Sequence, residues 1–348
     1  MTPASLFIAG VSAYIPRLVP VADAVRKGWY AAERADSEGW LAAAVADTES
    51  APDMAVHAGR CALARSGLQP ADIGMLLHAE AYHAGPDFWY PHHYILRQTI
   101  ARPVPAIGLR HSCPAMIQAM ELAGSWLAGV GSACGALITG ADRYDAPQFD
   151  RWNYANGWRT NRGSILGDAG SAIVLSNRGG IAQVVAIRSA SLTELEPLYR
   201  GDEPMFPPSI VTGSPVRMGE RVKAVAGRDP DLAASARKLL HEARTELALE
   251  TLAEAGLRGG DITRVTHVFS GRRQYLEDML GPLGIDPDRG MLDFGRSVGH
   301  LGVSDHVAAF DHLVETKALR PGDHVMMIAN GVGVSLACAI VRIVDRAR

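Results

Sequence analysis

Apolar residues along this chain come in two rhythms. Unbroken runs at 6–15, 74–78, 136–140, 171–175, 181–187 and 325–330 predict buried strands. Between them, residues 54–66, the stretch from Ala115 to about residue 130 and residues 232–255 carry apolar positions at three- and four-residue spacing and predict helices. Gly67, followed by Leu68-Gln69-Pro70-Ala71-Asp72-Ile73, fits a helix C-cap leading into a strand. Asn177-Arg178-Gly179-Gly180 predicts a hairpin joining the strand of Gly170–Leu175 to residues 181–187. Residues 194–231, rich in Pro, Gly and charge and without a period, read as a connector running over the surface, a cap on the site.

The pattern then repeats itself. Ser66-Gly67-Leu68…Asp72-Ile73 returns as Ala255-Gly256-Leu257…Asp261-Ile262, an offset of about 190 residues, far longer than a solenoid period. The same offset sets the segment around Cys113 opposite Gly299-His300-Leu301-Gly302-Val303-Ser304-Asp305, and residues 136–140 opposite 325–330. This is a duplicated α/β domain, with halves at 1–178 and 179–348. Around a pseudo-twofold axis, the turns before the two equivalent helices face each other.

Composition narrows the function. A net charge of -3 gives no general reason to bind nucleic acid or anionic membrane, and no apolar run is long enough to span a bilayer. The first residues carry no basic region, so the run from Leu6 reads as a strand and not a signal peptide. Cys61, Cys113, Cys134 and Cys338 lie far apart without CxxC pairs, which predicts reduced thiols and a cytoplasmic protein.

Cys113 is the chemically pointed one. In Arg110-His111-Ser112-Cys113-Pro114, with Ala115, Ala119, Leu122 and Trp126 behind it, the thiol stands at a helix start, where free N–H groups and the helix dipole favour the thiolate. A buried cysteine acting as a small hydrophobe is the alternative. His111 is a rival base, though a core histidine bonded to a neighbour is the better reading. Asp168, among glycines, reads as holding a turn. The aromatic stretch Tyr82 to Tyr94 lines a pocket or a dimer surface, or packs on its own rings; Trp152, Tyr154 and Trp158 mark another aromatic loop. Adjacent His92 and His93 do not share a face and have no partner at ligand spacing, so no metal site is expected.

A duplicated α/β chain with Cys at a helix start, Gly167-Asp168-Ala169-Gly170 and Gly331-Val332-Gly333 resembles the thiolase superfamily, and within it the β-ketoacyl-ACP synthase III group. The resemblance covers nearly the whole chain. It implies a five-layered αβαβα fold, a homodimer, and a Cys that takes an acyl group from a CoA thioester or a phosphopantetheinyl acyl carrier protein, with no permanently bound cofactor. Condensing members of the group pair the Cys with a His and an Asn. Here Phe269 or Ser270 stands where that His belongs, and His300 where the Asn belongs; His267 is close in sequence.

Gly295-Arg296, Gly299-His300-Leu301-Gly302 and Asp305 are similar instead to ketosynthase III-like acyltransferases of bacterial specialised metabolism. That resemblance implies Cys113 as nucleophile, His300 as base and Asp305 as the carboxylate orienting it, passing the acyl group to a heteroatom of a small-molecule acceptor. The backbones of Cys113, Gly331, Val332 and Gly333 would form the oxyanion hole, and Arg272 and Arg273 would meet a phosphate of the donor. Carbon–carbon condensation, with His300 and His267 sharing the decarboxylating role, and a non-catalytic scaffold are the alternatives.

Overall fold

The computed structural model describes residues 6–129, 134–154 and 165–344, so the first five residues and Trp158 fall outside it. Eleven strands lie in this range: β1 Phe7–Tyr14, β2 Leu18–Pro20, β3 Ala42–Ala44, β4 Ile73–Glu80, β5 Ala106–Arg110, β6 Gly135–Asp142, β7 Ala169–Ser176, β8 Ala182–Ser191, β9 Arg264–His267, β10 His324–Gly331 and β11 Ser335–Ile343. Nine form one sheet in the order β5-β4-β6-β7-β1-β8-β11-β10-β9, while β2 and β3 pair separately. The order shows the duplication. Read outward from β1 the first half runs β7-β6-β4-β5, and outward from β8 the second runs β11-β10-β9, with one edge strand fewer.

β6 and β7 are buried along their whole length because helices cover both sheet faces, which is why they read as unbroken apolar runs. Helix Ala51–Ser66 lies on the outer face of the first half. It opens with a Ser50–Asp53 capping box and closes on Gly67, whose φ of 71° is the left-handed cap its sequence predicts. Helices Pro230–Glu254 and Arg273–Leu280 pack outside the second half, on Met326, Ile328, Cys338 and Ile340. Between the halves sit helices Ala115–Gly129 and Asp305–Glu315; the first touches β4, β6 and β7 on one side and β8 and β11 on the other. These are the five layers of a thiolase-like αβαβα fold. Helix Ala115–Gly129 is mostly apolar, whereas helix Asp305–Glu315 buries Asp305, His306 and Asp311 along with its apolar residues.

Two expectations are corrected. β7 and β8 are not a hairpin: β1 runs between them, antiparallel to both, with Phe7 opposite Ser176 on one side and Gln183 on the other. The glycine turn at 177–180 permits a hairpin locally, but β1 fills both of its hydrogen-bonding edges by lying between the two strands. Residues 194–231 are also not an irregular connector. They hold helices Glu196–Arg200, Ser209–Thr212 and Met218–Arg228, and Leu195, Leu198 and Val225 bury with Val334 in a small cluster of their own. Three of the six prolines in this stretch sit at helix starts: Pro197 in the first turn, Pro208 at an N-cap and Pro230 as the first residue of the long helix.

Candidate active site

Both central helices begin at one point. Cys113 leaves the end of β5 and stands two residues before helix Ala115–Gly129, while Asp305 is the first residue of helix Asp305–Glu315 and His300 lies in the turn before it. That turn needs glycine: Gly299 and Gly302 have φ of 81° and 61°. The other half pins its backbone, since His300 N–H donates to Ile165 O and Gly167 N–H donates to His300 O, each at 2.8 Å. His300 is thereby fixed across the junction from Cys113.

The three side chains meet. Cys113 Sγ lies 3.4 Å from His300 Nε2, and His300 Nδ1 lies 2.6 Å from Asp305 Oδ2. Cys113, His300 and Asp305 are 7%, 4% and 0% exposed, so these contacts are made out of bulk water. Asp305 also accepts the backbone N–H of Leu301 at 2.7 Å and of Phe269 at 2.8 Å. With His300 donating from Nδ1 to Asp305, its Nε2 is the nitrogen turned toward the thiol as an acceptor.

Gly331 packs against the nucleophile's own turn: a Cβ there would fall 2.0 Å from Ser112 Oγ and 2.5 Å from Pro114 Cδ. Ser112 Oγ donates to Val332 O at 3.0 Å. The 331–333 loop thus lies over the Cys113 turn, and the Cys113 N–H donates no hydrogen bond among the described residues.

The rival histidines are committed elsewhere. His267, fully buried, donates from Nδ1 to Val268 O at 2.9 Å and accepts Met291 N–H at Nε2. It is a structural tie and does not stand in for a catalytic base. Phe269 fills the neighbouring wall edge-on to Phe294. The His111 Nε2 bonds to Ser335 Oγ at 2.5 Å, and burial lowers its pKa. Asp168 does more than hold a turn: it pairs with Arg151 through both oxygens at 2.9 Å and accepts N–H groups from Ala46 and Tyr144.

Of the two arginines expected to meet phosphate, Arg273 is exposed and pairs with Asp288 and Glu277. Arg272 is half-buried near Tyr30, and its Nε has no hydrogen-bond partner among the described residues. The aromatic stretch divides: Pro91–Thr99 is helical, Tyr82 packs edge-on to Phe149, and Phe88 is almost wholly exposed.

Asp142 and Tyr144, not singled out by the sequence, both lie against Gly302 of the His300 turn. The signal was there, in a carboxylate ending the wholly buried strand β6 with a tyrosine two residues on. Asp142 accepts N–H groups from Ala81 and Val303, at 2.8 and 3.0 Å, and so ties the aromatic stretch to the His300 turn.

Comparison with known proteins shows the family. Residues 252–343 match the family model for the C-terminal part of 3-oxoacyl-[acyl-carrier-protein] synthase III. The solved structure of ChlB3, an acyltransferase, superposes with a TM-score of 0.89 at 36% identity, covering 99% of both chains. β-Ketoacyl-[acyl-carrier-protein] synthase III of Rhizorhabdus wittichii is 26% identical over 84% of each chain. Acetoacetyl CoA synthase NphT7 of a Streptomyces species is 24% identical over 98% of this chain and 99% of its own.

Proposed function

The chain belongs to the β-ketoacyl-ACP synthase III-like family of the thiolase superfamily, and we propose that within it the protein is an acyltransferase to a heteroatom acceptor. The observation that carries this is the Cys113–His300–Asp305 relay, complete for acyl transfer and lacking the second polar donor that decarboxylation needs. Phe269 is apolar at that wall and both nitrogens of His267 are spent.

In this reading the Cys113 thiolate attacks the carbonyl of an acyl-carrier-protein or acyl-CoA thioester. The oxyanion is held by the N–H of Cys113 and by the Gly331-Val332-Gly333 loop. The carbon–sulfur bond of the donor breaks, and its thiol leaves with the proton from His300. A hydroxyl or amine of a small acceptor then gives its proton to His300 Nε2 and attacks the acyl-Cys, which restores the Cys113 thiol. Asp305 fixes the imidazole tautomer throughout. Arg272 is the remaining candidate for a donor phosphate. Support for the transfer chemistry comes from ChlB3, an acyltransferase, and a role in specialised metabolism in the cytoplasm belongs to the same reading, with four free cysteines fitting a reducing compartment.

A homodimer is part of it too. β5 ends the sheet with an exposed edge and Ile107 is 46% exposed, so a second copy pairing there would cover it.

Intact-mass measurement tests the proposal. Wild type should gain one acyl group from a thioester donor, Cys113→Ala should gain none, and labelled malonyl donor should release little carbon dioxide. Stoichiometric carbon dioxide with a β-ketoacyl product would establish condensation instead. An adduct persisting on Cys113→Ala would remove the nucleophile assignment.

A further inference from the structure

The two residues just ahead of the nucleophile both reach across the junction between the halves, and they take hold of one turn. β10 and β11 pair as far as Gly331 opposite Ser335, which leaves Val332-Gly333-Val334 to join them. Ser112 Oγ donates to Val332 O at 3.0 Å at one end of this turn, and His111 Nε2 meets Ser335 Oγ at 2.5 Å at the other. Contact at the first end is close, since a side chain on Gly331 would collide with Ser112 Oγ. From behind, Val334 packs with Leu195, Leu198 and Val225, and its carbonyl accepts the N–H of Leu192 at 2.9 Å.

The turn sorts its polar groups by sign. The N–H groups of Cys113, Val332 and Gly333 donate to nothing among the described residues, whereas the Val332 carbonyl is taken by Ser112. Donors are left open and the acceptor is covered. An oxyanion needs that polarity, because N–H groups attract the developing negative charge and a free carbonyl beside it repels it. The orientation is not automatic. Gly333 has φ of 101°, and a peptide next to glycine turns over at little steric cost, exchanging the directions of its C=O and N–H. Among the described residues, Ser112 supplies the side-chain bond that fixes which way the peptide joining Val332 to Gly333 faces.

We propose that Ser112 is a positioning residue for acyl transfer, whose hydroxyl holds the Val332 carbonyl away from the oxyanion so that the N–H groups of the turn face it. This rests on the reading of Cys113 as the acylated residue. Ser112 itself touches neither donor nor acceptor and acts through the 332–333 peptide. Without the hydroxyl that peptide samples both orientations, and in one of them a carbonyl oxygen opposes the charge that forms.

The test is single-turnover acylation of Cys113, followed by intact mass, with acetyl-, butyryl-, octanoyl- and benzoyl-CoA over a range of concentrations. Ser112→Ala should lower the limiting rate by about tenfold or more while the half-saturating donor concentration stays within about twofold of wild type, because the oxyanion forms only during the reaction. Infrared spectra of the acyl-enzyme, made with donor isotopically labelled at the carbonyl, give a second readout. Wild type should show the carbonyl band below that of the free thioester, since hydrogen bonding lowers it, and Ser112→Ala should move it back upward. A limiting rate equal to wild type overturns the proposal. So does a slow variant whose band has not moved, which assigns the hydroxyl to the folding of the turn alone. Wild type by itself is also decisive, whether or not the variant folds: an acyl band no lower than that of the free thioester means that no N–H of the turn faces the carbonyl. In each of these cases acyl loading stands. Absence of any Cys113 adduct from all four donors overturns the acyl-loading reading, and this one with it.

Discussion

The turns that precede the two central helices occupy equivalent places in the two halves, yet they spend their polar groups in opposite ways. Around Cys113 the backbone N–H donates no hydrogen bond among the described residues, and the thiol meets the imidazole of His300 but no carboxylate. Around His300 almost everything is spent: Asp305 binds the imidazole and two backbone N–H groups, and His300's own backbone is tied to residues 165–167. A duplicated fold thus offers two helix starts at one junction, one kept reactive and the other kept rigid. The reactive turn depends on the rigid one for its base, so neither half is a complete site.

The most direct way to break this comparison is to empty the rigid turn. His300→Ala should slow acylation of Cys113 by roughly 10²–10⁴-fold, the usual worth of a positioned general base. Rapid-quench intact mass gives the rate, and one within a factor of two of wild type would show that Cys113 is activated by its own helix alone.

Asp305→Asn sharpens the comparison, because the shape survives while the wiring is reversed. An amide NH₂ at the Oδ2 position faces two donors, Phe269 N–H and His300 Nδ1–H, and cannot accept from either. The imidazole then places its proton on Nε2, where it cannot take one from the thiol. Acylation should fall on the order of 10²-fold, with a changed pH–rate profile. If instead the profile matches wild type and only stability drops, Asp305 serves the turn's backbone and not the base.

How much of this was legible depends on how local the signal is. Gly67, the helix after Cys113 and the strand runs are written in short spacings, and the structure follows them. The pairing of Cys113 with His300, 187 residues apart, was readable through the duplication, which makes them two equivalent positions, and through the family resemblance. The insertion of β1 between β7 and β8 was not readable, since a glycine turn such as Asn177–Gly180 carries no information about a strand arriving from the N-terminus. The 194–231 helices were masked by prolines that mark starts as readily as breaks.

The smallest effect concerns the one group the rigid turn leaves unsatisfied. His306, next to Asp305 and fully buried, meets Thr266 Oγ1 at 3.3 Å through Nδ1, but its Nε2 has no partner among the described residues. Burial lowers its pKa to about 4, against a favourable pull from Asp305 and a further push from His267 and His300. Unfolded, the same imidazole binds its proton near pH 6.5, so between about pH 6.5 and 4 the unfolded chain holds a proton that the folded one refuses. Stability must therefore be lost as pH falls through that window and be level above it, by at most about 3 kcal/mol from this group. His78, lowered by burial to about 3, acts in the same direction, while Asp142 and Asp311, raised to about 7 and about 6, act in the opposite one. All three are common to wild type and His306→Gln, so they cancel in the difference between the two proteins. Urea unfolding of both from pH 4.5 to 8 should show the variant gaining on wild type steadily below about pH 6.5. A difference that stays constant across that range would mean that His306 is hydrated in the folded protein, and that the rigid turn is less tightly closed than the Cys113 turn it faces.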